Sequence, residues 1–380
     1  MTYRKVGHKS VMSEGDATVI SFRAVVRDGW YNAFTDLALW KNYWWLGYRR
    51  GTGHGAPLSA NYENNNNDWD FKTNSNDWGG LEAPSTSGGN SFSVILRSTD
   101  LLRWHETKIF EPPEGIVDGA GIDEPIFCTT DNRLYAFIPV KWPGKSIMHC
   151  TWTEDGINWT ILKELQLDGM NPYTWRVRYF NNKFYSVING NNRKEGVLDL
   201  ITSDDGINWS IHANITDKNE FEYTEETDIH LLPNGDMWTI IRTNSGGVFS
   251  SAKSPYSNWN KMIDLGVRCD APVICKSGNK IYLAGRIDAP GETPRNPTIH
   301  LGTTGLYELT HGKTKLLLSF PPGGDAAYAG LVSPQPGRLV LSTYSDAAYL
   351  SDAIKPKHFP EYLYKKSESD IYIAEIDVTN

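Results

Sequence analysis

Six times along the chain a turn built on Asn or Gly gives way to a short apolar run. The runs are Asn42-Tyr-Trp-Trp-Leu-Gly-Tyr48, Asn132-Arg-Leu-Tyr-Ala-Phe-Ile138, Asn182-Lys-Phe-Tyr-Ser-Val-Ile188, Asn234-Gly-Asp-Met-Trp-Thr-Ile-Ile241, Asn279-Lys-Ile-Tyr-Leu-Ala-Gly285 and Gly337-Arg-Leu-Val-Leu-Ser-Thr343. Each reads as a hairpin: an apolar strand, a Gly/Asn turn, a second apolar strand. The last run, Asp370-Ile-Tyr-Ile-Ala-Glu-Ile376, alternates at period two. Pairing it with the N-terminal segment would leave no free sheet edge. No stretch carries a helical period. Residues 55–90, rich in Asn, Gly, Ser and Asp, interrupt the pattern and read as a long loop over one face, not as a linker between domains.

A second repeat runs in phase with the first. Thr153-Glu-Asp-Gly-Ile-Asn-Trp159 and Ser203-Asp-Asp-Gly-Ile-Asn-Trp209 share one pattern, Ser98-Thr-Asp-Leu-Leu-Arg-Trp104 keeps most of it, and Ser254-Pro-Tyr-Ser-Asn-Trp259 is a degenerate copy. The tryptophans stand 55, 50 and 50 residues apart. A period near 50 marks a repeat architecture in which no unit buries its apolar face alone. Within the phrase an Asp carboxylate caps a tight turn, a Gly takes the φ > 0 position, and a Trp returns to pack on the sheet. The pattern resembles the Asp-box of sialidase-type β-propellers. With six hairpins, the expectation is an all-β, six-bladed β-propeller of four-stranded antiparallel blades, one domain over residues 1–380. A five-bladed arabinanase-type ring is disfavoured, because Asp-boxes are no part of it.

Composition narrows the partners. A chain of 380 residues exceeds the usual single-core limit, which a propeller escapes because each blade packs only on its neighbours. The 14 Trp and 19 Tyr suit both blade packing and stacking on sugars. A net charge of −8 argues against nucleic acid and anionic membrane as main partners. No apolar run approaches the ~20 residues of a membrane helix. The start lacks the apolar core of a signal peptide, so the chain as written is expected in the cytoplasm, or in the periplasm or outside the cell if a leader precedes it. Cys128, Cys150, Cys269 and Cys275 have no Cys-x-x-Cys spacing and read as buried thiols; no metal or cofactor is expected.

In a propeller the innermost strands line a channel, and one end of it receives the residues before each first strand and after each second one. The strand starts supply Asp36, Asp123, Glu124, Trp175, Arg176, Glu225, Glu226, Asp270, Asp325 and Tyr328. The strand ends supply Arg49, Arg50, His54, Lys141, Asn189, Arg242, Arg286 and Asp346. Arginine forks beside carboxylates suit an anionic ligand and acid/base work at one carbon.

The segment Glu226-Thr-Asp-Ile-His-Leu-Leu-Pro-Asn-Gly-Asp-Met-Trp-Thr-Ile-Ile-Arg242 resembles a stretch of the sialidase (neuraminidase) superfamily. There the Glu assists the nucleophile and the Arg grips the substrate carboxylate, roles the resemblance implies for Glu226 and Arg242. Tyr328-Ala-Gly-Leu resembles the strand start that carries the sialidase nucleophile, which implies that role for Tyr328. A further carboxylate-binding arginine fits Arg295 by pattern and Arg286 by geometry. The first sialidase arginine motif is replaced by Asn32-Ala-Phe-Thr-Asp-Leu37, leaving Arg49 or Arg50 to substitute. The sialidase acid/base aspartate has no clear match, and His54 stands roughly in its place. Arg176, Asp123 and Asp325 complete the expected contacts. The leading expectation is an exo-acting glycoside hydrolase on an acidic glycan. Alternatives are a propeller-fold polysaccharide lyase or rhamnose–glucuronate-cleaving enzyme that uses His and Tyr on a uronate, and a non-catalytic glycan-binding propeller.

Overall fold

The computed structural model describes residues 2–6, 9–13, 15–51, 53, 91–112, 121–142, 145–169, 171–189, 196–216, 220–288, 302–321, 325–346 and 368–379. These residues form six sheets with the blade order of a β-propeller, antiparallel but for one short edge pairing of Gln166–Leu167 with Asn208 and Trp209. Blade 1 runs Tyr31–Trp40, Tyr43–Gly51, Phe92–Ser98 and His105–Phe110. Blades 2 to 5 continue the pattern, their second strands being Leu134–Trp142, Lys183–Asn189, Asp236–Thr243 and Lys280–Asp288. These coincide with the apolar runs that follow each Asn/Gly turn. Blade 6 takes Ala326–Gln335, Arg338–Ser345 and Asp370–Asp377 from the end of the chain. Its fourth strand is Thr18–Val26, antiparallel to Asp370–Asp377. The ring is therefore closed by the two chain ends, as the alternation of the last strand predicts. A further hairpin, Thr2–Val6 with Lys9–Ser13, extends the edge of blade 5. The loop expected over residues 55–90 lies outside the described residues.

There is no single core. Six buried apolar clusters lie between consecutive blades among the described residues. One joins Trp45 and Ile95 of blade 1 to Phe137's neighbours Ala136 and Ile138 of blade 2; another joins Met237 of blade 4 to Leu200 of blade 3. Ala271 of blade 5 and the half-buried Tyr328 of blade 6 cross to the cluster between blades 2 and 3. Nearest-neighbour burial of this kind lets a long chain bury its apolar surface without a thick interior.

The repeated phrases make the turns between third and fourth strands. Ser98, Thr153 and Ser203 each accept the backbone N–H three residues on, from Leu101, Gly156 and Gly206, at 2.9 Å. Asp155 Oδ1 accepts from Ile157 N and Asn158 N at 2.8 Å, and Asp205 repeats this on Ile207 and Asn208 at the same length. Backbone donors hold the Asp155 carboxyl well below its ordinary range. The left-handed position is kept in all four copies: Leu101, Gly156, Gly206 and Tyr256 have φ of 62°, 76°, 79° and 69°. At Gly156 a Cβ would also sit 2.6 Å from the Trp45 ring of the preceding blade. The tryptophans then pack backwards, Trp159 edge-on to Trp45 at 6.5 Å and Trp209 on Phe137 at 6.3 Å. Trp209 is buried, whereas Trp104 and Trp159 are half-buried.

Candidate functional site

At one level of the ring every first strand is broken. Register shifts interrupt the pairing between Ala33 and Asp36, Glu225 and Asp228, Asp270 and Val273, and Ala327 and Gly330. A non-glycine residue turns left-handed at each: Phe34 (56°), Glu226 (35°), Ala271 (50°) and Tyr328 (46°). In blade 2 the strand is split, with Asp123, Glu124 and Pro125 in the gap between Gly121–Ile122 and Ile126–Thr129. In blade 3 the gap holds Trp175 to Val177, between the Thr174 bridge and Arg178–Phe180. A bulge swings a side chain out of the blade's alternation, and a left-handed non-glycine costs ~1–3 kcal/mol. Repetition of that cost at one level makes this face the candidate site.

The bulged residues meet in the middle. Tyr328 donates its phenol to Glu226 Oε1 from across the channel. Glu226 Oε2 accepts from Ala271 N at 2.7 Å and pairs with Arg242 Nη1, also at 2.7 Å. Phe34 meets the Tyr328 ring edge-on at 4.7 Å and Trp175 meets it at 5.4 Å, while the Arg286 guanidinium lies 5.1 Å from its centre. Burial, and then the Glu226 charge, push the Tyr328 phenol well above its ordinary value; Arg242 and Arg286 oppose this. Tyr328 is thus a neutral phenol hydrogen-bonded to Glu226 at rest, rather than a phenolate made by nearby cations.

Three arginines on second strands occupy one register position, one step beside the break: Arg49 opposite Ala33, Arg242 opposite Glu225, Arg286 opposite Asp270. Asp270 gathers two of them, with Arg242 Nε at 3.4 Å and Arg286 Nη1 at 4.0 Å, and takes Arg268 Nε at 2.8 Å. Burial disfavours the Asp270 charge, yet Arg242, Arg268 and Arg286 outweigh it and hold the carboxyl far below its ordinary range. Asp325 is a holder of the cluster. It accepts from Tyr344 at 2.6 Å, from Arg286 Nη2 at 3.2 Å and from the Tyr31 phenol. Arg49 lies 3.3 Å from Asp123 and over the Phe34 ring.

Two expected contacts are corrected. Arg50 follows Arg49 on a strand and so faces the other way. It pairs with Asp28 at 3.1 Å and Glu106 at 3.6 Å, along the blade rather than at the channel. Arg176 is a buried tie: it bonds Asp36 at 2.8 Å, Pro272 O at 3.0 Å and Ala329 O at 2.7 Å, linking blades 1, 3, 5 and 6. Those bonds use three of the five guanidinium N–H donors of a buried side chain. His54 and Arg295 lie outside the described residues. The sequence reading missed Arg268, Tyr31, Tyr223 and Tyr344, which hold the carboxylates Asp270, Asp325 and Glu225. Arg268 was within reach, since it precedes the Asp270 strand start by two residues.

No family model matches the chain, and no curated protein does. Solved structures do match. A protein of unknown function from Dyadobacter fermentans aligns with a TM-score of 0.67 at 13% identity, over 95% of this chain and 99% of its own. Phage phi92 endosialidase gives 0.64 at 11%, over 95% of this chain and 69% of the phage protein. A Trypanosoma rangeli sialidase solved with sialic acid gives 0.58 at 8%, over 92% of this chain and 54% of the sialidase, about half its length. The class is thereby defined at the level of fold: a six-bladed β-propeller like those of sialidases.

Proposed function

We propose that the chain is a glycan-cleaving enzyme, an exo-acting glycoside hydrolase that works on a carboxylate-bearing sugar. Tyr328 is its nucleophile and Glu226 the base, with Arg242 as the main carboxylate contact, supported by Arg286 and Arg49. The observation that carries the reading is the Tyr328–Glu226 hydrogen bond inside a ring of strained inner strands. The close ion pairs of Arg242 run through Nε and Nη1 among the described residues, and Nη2 is the nitrogen assigned here to a ligand oxygen. Asp270 preorganises the arginines at no cost when the ligand arrives. In the first step Tyr328 Oη bonds to the anomeric carbon as its proton passes to Glu226 Oε1, and the glycosidic C–O bond breaks onto a protonated leaving group. Water then attacks the same carbon, the Tyr–carbon bond breaks, and Tyr328 regains its proton from Glu226. A neutral nucleophile suits a substrate whose own carboxylate would repel an anion.

Sialic acid, the sugar bound to the Trypanosoma rangeli sialidase, is the first substrate to try. Methylumbelliferyl glycosides of N-acetylneuraminic acid, glucuronic acid and neutral sugars should separate the readings. Turnover of an acidic glycoside, lost at least ~100-fold in Tyr328→Phe, supports the proposal. An ultraviolet-absorbing unsaturated product would mean elimination instead of hydrolysis, and tight binding without turnover would mean a lectin-like propeller.

A further inference from the structure

Five of the six broken inner strands are accounted for by the contacts around Tyr328. Blade 2 is the exception, and its gap carries two adjacent acids that differ sharply. Asp123 is an ion-pair partner, held by Arg49 at 3.3 Å and by Lys141. Glu124 has no salt bridge among the described residues and is 5% exposed; its Oε2, like the ion-paired Asp123 Oδ1 beside it, is buried without a hydrogen-bond partner. A buried, unpartnered carboxyl oxygen is costly to keep and needs a reason. The backbone that carries it is fixed. Pro125 restrains the conformation of Glu124 and packs so closely on blade 1 that a Cβ at Gly47 would meet the proline Cγ at 2.4 Å.

We propose that Glu124 is the acid/base residue of the site: a neutral carboxylic acid that protonates the leaving-group oxygen and then, as carboxylate, removes a proton from the attacking water. The assignment rests on the hydrolase reading and completes its proton balance. The proton that leaves Glu124 with the aglycone returns from water, so one water is consumed per bond cleaved. The environment keeps the acid loaded. Burial, and then the Asp123 charge, push the Glu124 carboxyl up to about 8, with Lys141 and Arg49 opposing. Asp123 has a second function in this arrangement, since it draws both cations toward itself and leaves Glu124 protonated. Two adjacent carboxyls with different environments therefore divide the work, one tied to cations and one serving as the acid.

The test uses the full chain, Glu124→Gln and His54→Gln, with thermal melts to establish that all are folded. In infrared difference spectra at pH 7 the wild type should show a protonated carboxyl band that Glu124→Gln lacks. On methylumbelliferyl and methyl α-glycosides of N-acetylneuraminic acid, Glu124→Gln should lose less than ~5-fold in kcat/KM on the first and at least ~100-fold on the second, because only the poor leaving group needs the proton. Azide should restore turnover of the activated glycoside by capturing the glycosyl-enzyme. No band, equal losses on both glycosides, or the leaving-group signature in His54→Gln but not in Glu124→Gln would overturn the assignment. A wild type inert on both glycosides would sink the hydrolase reading and the acid role with it, even with the infrared band present.

Discussion

The carboxylates of the outer turns and those of the inner ring solve the same problem in opposite ways. Asp155 and Asp205 find all their donors within three residues along the chain. Glu226 and Asp325 take most of theirs from other blades, as far as 294 residues away. The outer turns are built locally, exposed and repeated; the inner carboxylates are buried, unlike one another and held in full only when the ring closes. Stability is concentrated in the first kind of site and the proposed chemistry in the second. Variants at the two places should therefore fail differently.

The largest stability effect should come from the outer turns. Trp209 is buried on the preceding blade, so Trp209→Ala should destabilise by ~3–5 kcal/mol in denaturant melts, with kcat per folded molecule unchanged. Half-buried Trp159 should cost less, and a Trp159→Ala loss equal to that of Trp209→Ala would break the packing account. Tyr328→Phe should do the reverse, with turnover down at least ~100-fold and stability changed by less than about 1 kcal/mol. Glu226 keeps Ala271 N and Arg242 in that variant, so a large loss of stability would mean that the phenol is structural.

Gly156→Ala should cost about 2 kcal/mol, because its φ of 76° disfavours a Cβ that would in any case press on Trp45. The last effect concerns pH. Unfolded Glu124 ionises near 4.5, whereas the folded chain keeps it neutral up to about 8. Its contribution to stability is complete below pH 4.5 and is lost as pH rises toward 8. The melting temperature of Glu124→Gln relative to wild type should thus climb between pH 5 and 8. A flat difference would mean that Glu124 is charged in the native state.

The same contrast explains what could be read from the sequence. Blade number, ring closure by Asp370–Asp377 and the turn at Thr153–Trp159 depend on spacing and local chemistry, which a linear pattern carries. Leu101 and Tyr256 keep the glycine conformation without glycine, so the turns persist where the pattern fades. The site was legible only as a list of strand ends. Alternation separates Arg49 from Arg50, and nothing local says that Arg176 is absorbed by Asp36 and two carbonyls of distant blades. The bulges that turn Glu226 and Tyr328 toward each other have no sequence signal beyond the resemblance that first singled them out.

The central claim is that Tyr328 attacks the sugar while Glu226 takes its proton. It is tested most directly by incubating the chain with 2,3-difluorosialic acid, a compound known as a covalent intermediate on the Trypanosoma rangeli sialidase, and mapping the product by peptide mass spectrometry. The account predicts one added glycosyl mass, on the peptide that contains Tyr328, and no adduct in Tyr328→Phe. An adduct on another residue, or hydrolysis of the methylumbelliferyl sialoside by a Tyr328→Phe variant at the wild-type rate, would contradict it.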